Sequence, residues 1–214
     1  MQAPPPSRRF SQRQQDILAL LLILLVAGIF RLWQIDRLPP GLFGDEAVNG
    51  LDALDALAGR PQVFYPANFG REGLHMLLLA PAIRLLGPTA LALRLPSVLA
   101  GIVTALATYW LGRELFARTW LRGTLVPLLA ALFLSTSYWH IHFSRFGIRG
   151  VFTPLMAALA FAAFWHGANR AADTVAAGRS VLRDGRSWGW FLLAGLFTGL
   201  GLSLIHISEP TRPY

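Results

Sequence analysis

The chain has 214 residues, of which 54% are hydrophobic, 12% aromatic and only 14% charged, with a mean hydropathy of +0.48. A soluble domain carries about 25% charged residues, so this composition excludes a disordered chain and most soluble enzymes and points to a membrane protein. The absence of cysteine excludes a disulfide framework and a thiolate metal site. The 19 basic residues are all arginine and give a net charge of +8, but they lie between apolar runs, a pattern of bilayer orientation and not of nucleic-acid binding.

In chain order, residues 1–14 are rich in proline and arginine (Arg8, Arg9, Arg13) and read as a short disordered basic tail. The apolar run Ile17–Trp33 lacks a small-x-small cleavage site and is read as an uncleaved span. Pro39-Pro40-Gly41 forms a turn. An amphipathic helix follows, with Ala47, Val48, Leu51, Leu54 and Ala58 on one face and Asp45, Asn49 and Asp52 on the other, ended by Gly59 and Pro61. The run Leu74–Leu86 contains Pro81 and Arg84 and is shorter than the roughly 17 residues a span requires. Four further runs are predicted to span: Leu95–Leu111, Gly123–Tyr138, Gly150–Trp165 and Trp188–Gly201.

Arginine placement orients these runs. The tail 1–14, the loop 112–122 (Arg113, Arg118, Arg122) and the loop 167–187 (Arg170, Arg179, Arg183, Arg186) are all basic and belong on the cytoplasmic side. That requires two crossings between residues 14 and 112, so Leu74–Leu86 is predicted to lie in the outer interface as a juxtamembrane helix. The outer segment Gln34–Arg94 then holds Asp36, Asp45, Glu46, Asp52, Asp55 and Glu72, six of the eleven acidic residues. A second outer loop, Trp139–Arg149, holds His140, His142, Arg145 and Arg149.

Asp45 and Glu46 begin the amphipathic helix, where an N-cap and a residue complementing the helix dipole are the plain structural reading. A carboxylate at the bilayer surface facing several arginines also suits a reaction on a lipid-linked anion. His140 and His142 sit among aromatics that fit an interfacial belt, and His75 reads as interfacial packing. Arg145 and Arg149 are spaced for phosphate binding or for anchoring at the interface. Arg94, at the end of a span, needs a partner or solvent. Asp52 and Asp55 read as a solvated face. Gly195, Gly199 and Gly201 suggest close helix packing.

Several short segments, in order, carry a family resemblance: Phe30-Arg31-Leu32-Trp33, Gly44-Asp45-Glu46-Ala47, Asn68-Phe69-Gly70-Arg71-Glu72-Gly73-Leu74, Leu86-Gly87-Pro88-Thr89, Leu93-Arg94-Leu95-Pro96-Ser97, Tyr109-Trp110-Leu111-Gly112-Arg113-Glu114-Leu115-Phe116 and Ser137-Tyr138-Trp139-His140-Ile141-His142-Phe143-Ser144-Arg145. Across residues 17–201 the chain resembles GT-C glycosyltransferases, closest to family 39, the group of protein O-mannosyltransferases and lipid A aminoarabinose transferases. The resemblance implies an all-α, multi-pass transmembrane helical bundle with juxtamembrane amphipathic helices in its first outer loop. It implies a polyprenyl-phosphate sugar donor, an acceptor hydroxyl on protein, lipid or glycan, and a site on the extracytoplasmic face of the inner membrane. Asp45 matches the family's catalytic aspartate, and Glu46 is a supporting or metal candidate. Arg71 and Arg94, with Arg145 and Arg149, are the expected donor-phosphate ligands.

Two departures stand out. Gly73 occupies a position where many relatives carry proline, and no acid lies between Glu114 and Asp173, where some relatives hold a metal-binding carboxylate. No metal ligand is therefore assigned and no cofactor is certain, a divalent cation being the one the family leaves open. The rival reading is a transporter or flippase for lipid-linked or anionic substrates. Finally, Leu202–Tyr214 resembles the translation of a sequencing adapter, so the natural frame is expected to end near Gly201 and the chain to be the N-terminal part of a longer protein.

Overall fold

A computed structural model describes residues 11–65, 71–119 and 123–205. The described residues form eight α-helices: α1 (Gln12–Leu32), α2 (Gly44–Leu57), α3 (Leu74–Leu86), α4 (Ala90–Leu115), α5 (Leu125–Thr136), α6 (Tyr138–Arg145), α7 (Phe152–Ala176) and α8 (Gly185–Ile205). A two-residue antiparallel pair, β1 (Phe64–Tyr65) with β2 (Arg71–Glu72), is the only sheet among them. The protein is all-α. Four helices, α1, α4, α7 with the turn before it, and α8, are long and apolar enough to cross a membrane, and α5 with α6 makes a fifth candidate bent by 56°.

Helix α4 lies at the centre and touches α1, α3, α5, α6 and α7. Small residues make this close packing feasible. A Cβ on Gly101 would meet the Ser144 hydroxyl, and one on Gly112 would lie 3.0 Å from Pro127 Cβ. Helix α1 buries a single stripe spaced by four residues, Ala19, Ile23, Ala27 and Arg31, and leaves large apolar side chains such as Leu21 and Leu25 exposed. Apolar surface that extensive belongs against lipid or another apolar body.

The helices run past the apolar windows that announce them. Helix α1 starts at Gln12 because Ser11 accepts the Gln14 N–H and Gln14 reaches back to the Ser11 N–H, a capping box that hydropathy does not register. Helix α4 starts at Ala90, with Thr89 accepting from Ala92 N–H, and α7 extends to Ala176, so Arg170 and Asp173 are helical and not in a loop. The expected loop Trp139–Arg149 is instead helix α6 followed by a 3-10 turn at Arg149–Val151. Gly201 packs against Met156 Cβ at 3.0 Å, whereas Gly195 and Gly199 meet nothing within 4 Å, so only one of the three expected packing glycines packs.

Helix α3 is 13 residues long, about 20 Å at 1.5 Å per residue, against a bilayer core of about 30 Å. Near its start, His75 faces the Gly147 carbonyl, and after its end the chain returns to Gly147 at Leu93, whose carbonyl would lie 2.9 Å from a Cβ there. The start of α3 and the first turn of α4 therefore both lie beside Gly147. The start of α1, the end of α4, the end of α7 and the start of α8 lie at the opposite end, joined by Asp16–Arg113 at 3.3 Å, Gln12–Thr124 at 2.8 Å and Arg118 with Asn169 and Asp173. The described arginines Arg13, Arg113, Arg118, Arg170, Arg179, Arg183 and Arg186 thus gather at one end. Arg8, Arg9, Arg122, the Asn68-Phe69-Gly70 segment and residues 206–214 lie outside the described residues.

Candidate functional site

The site is at the end where α1 finishes and α4 begins. Its foundation is a buried ion pair. Arg94, in the first turns of α4, and Glu46, in the first turn of α2, are 1% and 0% exposed, with Arg94 Nε donating to Glu46 Oε1 at 2.9 Å. Arg94 Nη1 donates to the Ile35 carbonyl at 3.0 Å, and Nη2 donates to the Gly41 carbonyl at 2.5 Å. Glu46 Oε2 accepts the Phe43 N–H at 2.9 Å, the arrangement of an N3 glutamate that closes a helix start. The pair ties together the segment after α1, the start of α2 and the start of α4. Gly147 lies beneath it with φ +28, where a Cβ would be 3.1 Å from Glu46 Oε1.

This geometry places three of the expected site residues in structural contacts. The Arg94 guanidinium is saturated by a carboxylate and two carbonyls and has no face for a lipid phosphate. Glu46 is likewise enclosed and acts as the partner of Arg94. Arg145 departs in the same way, since its guanidinium donates to the carbonyls of Phe30, Arg31, Trp33 and Leu38. These are the last carbonyls of α1 and the turn after it, which lack intrahelical partners, so Arg145 acts as a C-terminal cap.

Asp45 is the adjacent residue to Glu46 and points elsewhere. Its side chain is 46% exposed, and its Oδ2 forms an ion pair with Arg71 Nη2 at 2.9 Å, while Oδ1 makes no hydrogen bond among the described residues. Arg71 is 13% exposed and also donates from Nη1 to Asn49 Oδ1 at 3.1 Å, one helical turn along α2. A buried arginine therefore holds one oxygen of a solvent-facing carboxylate. Successive strand residues point to opposite faces: Arg71 faces α2, and Glu72 pairs with Arg149 through Oε2. Glu72 Oε1 is buried with no hydrogen-bond partner. Of the residues expected in the site, Asp45 pairs with Arg71, Arg149 pairs with Glu72 on the other side of the strand, and Glu46, Arg94 and Arg145 make structural contacts at the same end.

Gly73 closes the strand pair by donating its N–H to the Val63 carbonyl at 2.7 Å, and a Cβ there would collide with the Gln62 carbonyl. Proline at this position would forfeit that hydrogen bond. Helix α2 buries Glu46, Asn49, Gly50 and Ala53, while Val48, Leu51 and Leu54 are exposed and Asp45 and Asp52 are partly exposed. Its exposed apolar side chains suit a helix lying against lipid or another apolar body.

Three side chains enter that sequence reading did not assign. His75 is 1% exposed, its Nε2–H donates to the Gly147 carbonyl at 3.3 Å, and its ring meets Phe152 edge-on. Burial, with Arg149 and Arg71 nearby, pushes its pKa down from 6.5 to about 4, so it is neutral. Glu72 is the second. Arg31 is the third: at 0% exposure it donates to the carbonyls of Ala27, Leu134 and Ser135, to Ser144 Oγ and to His140 Nδ1 at 2.6 Å. No carboxylate among the described residues touches it. The C-terminal ends of α1 and α5 both point their carbonyls at it, and these negative helix ends replace a counter-ion. The signal in the sequence was an arginine two residues before the end of the otherwise uncharged run Ile17–Trp33.

Among the described residues no three of His, Asp and Glu converge as metal ligands. Asp45, Glu46 and Glu72 each pair with an arginine. Comparison of the chain with family models, with curated proteins and with solved structures yields no match.

Proposed function

We propose that this chain is a membrane glycosyltransferase, a hexosyl- or pentosyltransferase of GT-C type, that moves a sugar from a polyprenyl phosphate to an acceptor hydroxyl on protein, lipid or glycan at the extracytoplasmic face of the inner membrane. The observation that carries this reading is the Asp45–Arg71 arrangement: a half-exposed carboxylate with one oxygen pinned and one free, beside cations, at the bundle end opposite the arginine-rich end. The resemblance of the ordered segments to family 39 adds the reaction class.

In this reading Asp45 Oδ1 accepts the proton of the acceptor hydroxyl as its oxygen attacks the anomeric carbon. The bond from that carbon to the phosphate oxygen breaks, and the electron pair leaves with the lipid phosphate. The transition state has oxocarbenium character. Negative charge grows on the leaving oxygen, where Arg149 and Arg71 supply fixed positive charge. Arg71 also orients the base. A positioned base contributes about 10²–10⁴-fold.

The test is release of polyprenyl phosphate from labelled donors by the purified chain in proteoliposomes. Release by the wild-type chain that falls at least about 10²-fold in Asp45→Asn, with an unchanged thermal midpoint, is the expected result. Equal release by the variant removes Asp45 from the chemistry, and no release from any such donor by the protein of the complete reading frame refutes the transferase. A second reading, transport of a lipid-linked or anionic substrate, is favoured by the 56° break between α5 and α6 beside the buried Arg31. Donor movement across the bilayer without bond cleavage would select it.

A further inference from the structure

A second polar feature lies at the opposite end of the bundle, far from Asp45, where α7 turns into α8. The turn encloses a cleft of about 400 Å³ lined by Thr174, Arg179, Ser180, Arg183 and Asp184. Its shape is set internally. The Arg179 N–H donates to the Thr174 carbonyl at 3.0 Å and the Asp184 N–H to the Val181 carbonyl at 3.0 Å. The single acid, Asp184, is engaged: Oδ2 accepts from Ser187 Oγ at 2.5 Å and Thr174 Oγ1 at 3.1 Å, Oδ1 accepts from the Arg186 N–H at 3.3 Å, and Arg170 lies 3.7 Å away.

The guanidinium groups of Arg179 and Arg183 have no such engagement. Neither makes a hydrogen bond or ion pair with a described residue, and both line the cleft. Two cations with no partner among the described residues, around a polar cleft, call for an anion. Their surroundings say which anion. Leu182, between Val181 and Arg183 at the tip of the turn, is 80% exposed, and Val175 and Trp188 are exposed beside it. Both helices leaving the turn are long and apolar enough to span a bilayer. A soluble phosphate gains nothing from an exposed leucine, whereas a lipid presents a phosphate at the depth of the arginines and acyl chains at the depth of Leu182 and the helices. Basic residues at this depth attract anionic headgroups.

We propose that the α7–α8 turn binds the phosphodiester headgroup of an anionic bilayer phospholipid, with Arg179 and Arg183 on the phosphate and Leu182 inserted among the chains. This assignment is independent of the transferase reading.

The test uses the full chain in neutral detergent, with phosphatidylglycerol, phosphatidylcholine or inorganic phosphate added, and native mass spectrometry to count bound molecules. The wild-type chain should retain phosphatidylglycerol over phosphatidylcholine. Arg179→Gln with Arg183→Gln should lower that retention about 30-fold, from two surface cations removed. Arg179→Lys with Arg183→Lys should keep it, which separates charge from any effect on folding, and Leu182→Ser should weaken it with the thermal midpoint unchanged. Equal retention of the two lipids, undiminished phosphatidylglycerol in the double glutamine variant, or displacement of the lipid by equimolar inorganic phosphate would each overturn the proposal.

Discussion

Replacing Arg94 with methionine removes the cation from the most enclosed ion pair in the protein. At 2.9 Å and an effective dielectric constant of about 20, the attraction between the two charges is about 6 kcal/mol, and the desolvation of each ion opposes it by several kcal/mol. The net value of the intact pair is therefore small, but loss of one partner is different. Without Arg94, the Glu46 carboxylate keeps only the Phe43 N–H as a donor, and the carbonyls of Ile35 and Gly41 lose their donor as well. Stranding a buried charge in this way costs about 3–5 kcal/mol, a fall in thermal midpoint of roughly 6–20 °C for a chain of this size. Glu46→Leu should cost as much, because it strands the guanidinium. The double variant, with both charges removed and volume kept, should recover most of the loss. The assay is thermal unfolding in detergent, followed by tryptophan fluorescence, across the full mutant cycle. A midpoint for Arg94→Met within about 2 °C of wild type, or a double variant as unstable as the sum of the singles, would refute the assignment of this pair as the brace of the site.

Other consequences follow from single contacts. Asp45→Asn should leave the thermal midpoint within about 2 °C of wild type, since its side chain is half exposed and its one ion pair is at the surface, while it abolishes transfer; a large midpoint shift would mean the residue is structural. Gly101→Ala should destabilise by about 1–3 kcal/mol, because its Cβ would meet Ser144 and sit 3.0 Å from Arg31 Nε; unchanged unfolding would show that α4 and α6 are not so close. His75 is held neutral with its pKa lowered to about 4. The unfolded chain takes up this proton below about 6.5 and the folded chain does not, so stability is full above that pH and declines as the pH falls towards 4, by up to about 3 kcal/mol. His75→Gln should flatten that part of the profile, and an identical pH dependence in the variant would show that other groups produce it.

Much of the architecture was legible because the relevant physics is local or one-dimensional. Apolar runs of bilayer length located the helices long enough to cross a membrane, and the described parts of the arginine-bearing segments 1–14, 112–122 and 167–187 lie near one another. The start of α2 at Gly44-Asp45-Glu46 and its end at Gly59, with φ +82, followed from turn and cap chemistry. The run Leu74–Leu86 coincides with helix α3, whose 13 residues are too few to cross a bilayer core. Helix extents were not legible, because Ser11, Thr89 and the helical continuation past Trp165 depend on backbone hydrogen bonds and not on hydropathy.

The roles of the arginines were decided only by the tertiary structure. Arg71, Arg94, Arg145 and Arg149 look alike in the sequence, each a cation beside an apolar segment. Folding sets Arg94 against Glu46 across 48 positions and Arg145 against the end of α1 across more than 100, leaving Arg71 and Arg149 beside the carboxylates of the site. The orientation of α2 was likewise undetermined by its periodicity. A helical pattern states that two faces differ, but which one turns inward depends on whether its surroundings are water or apolar. Composition thus determines that this chain forms apolar helices of membrane length, whereas the pairing of buried charges distant in sequence determines which of its polar groups are free to act.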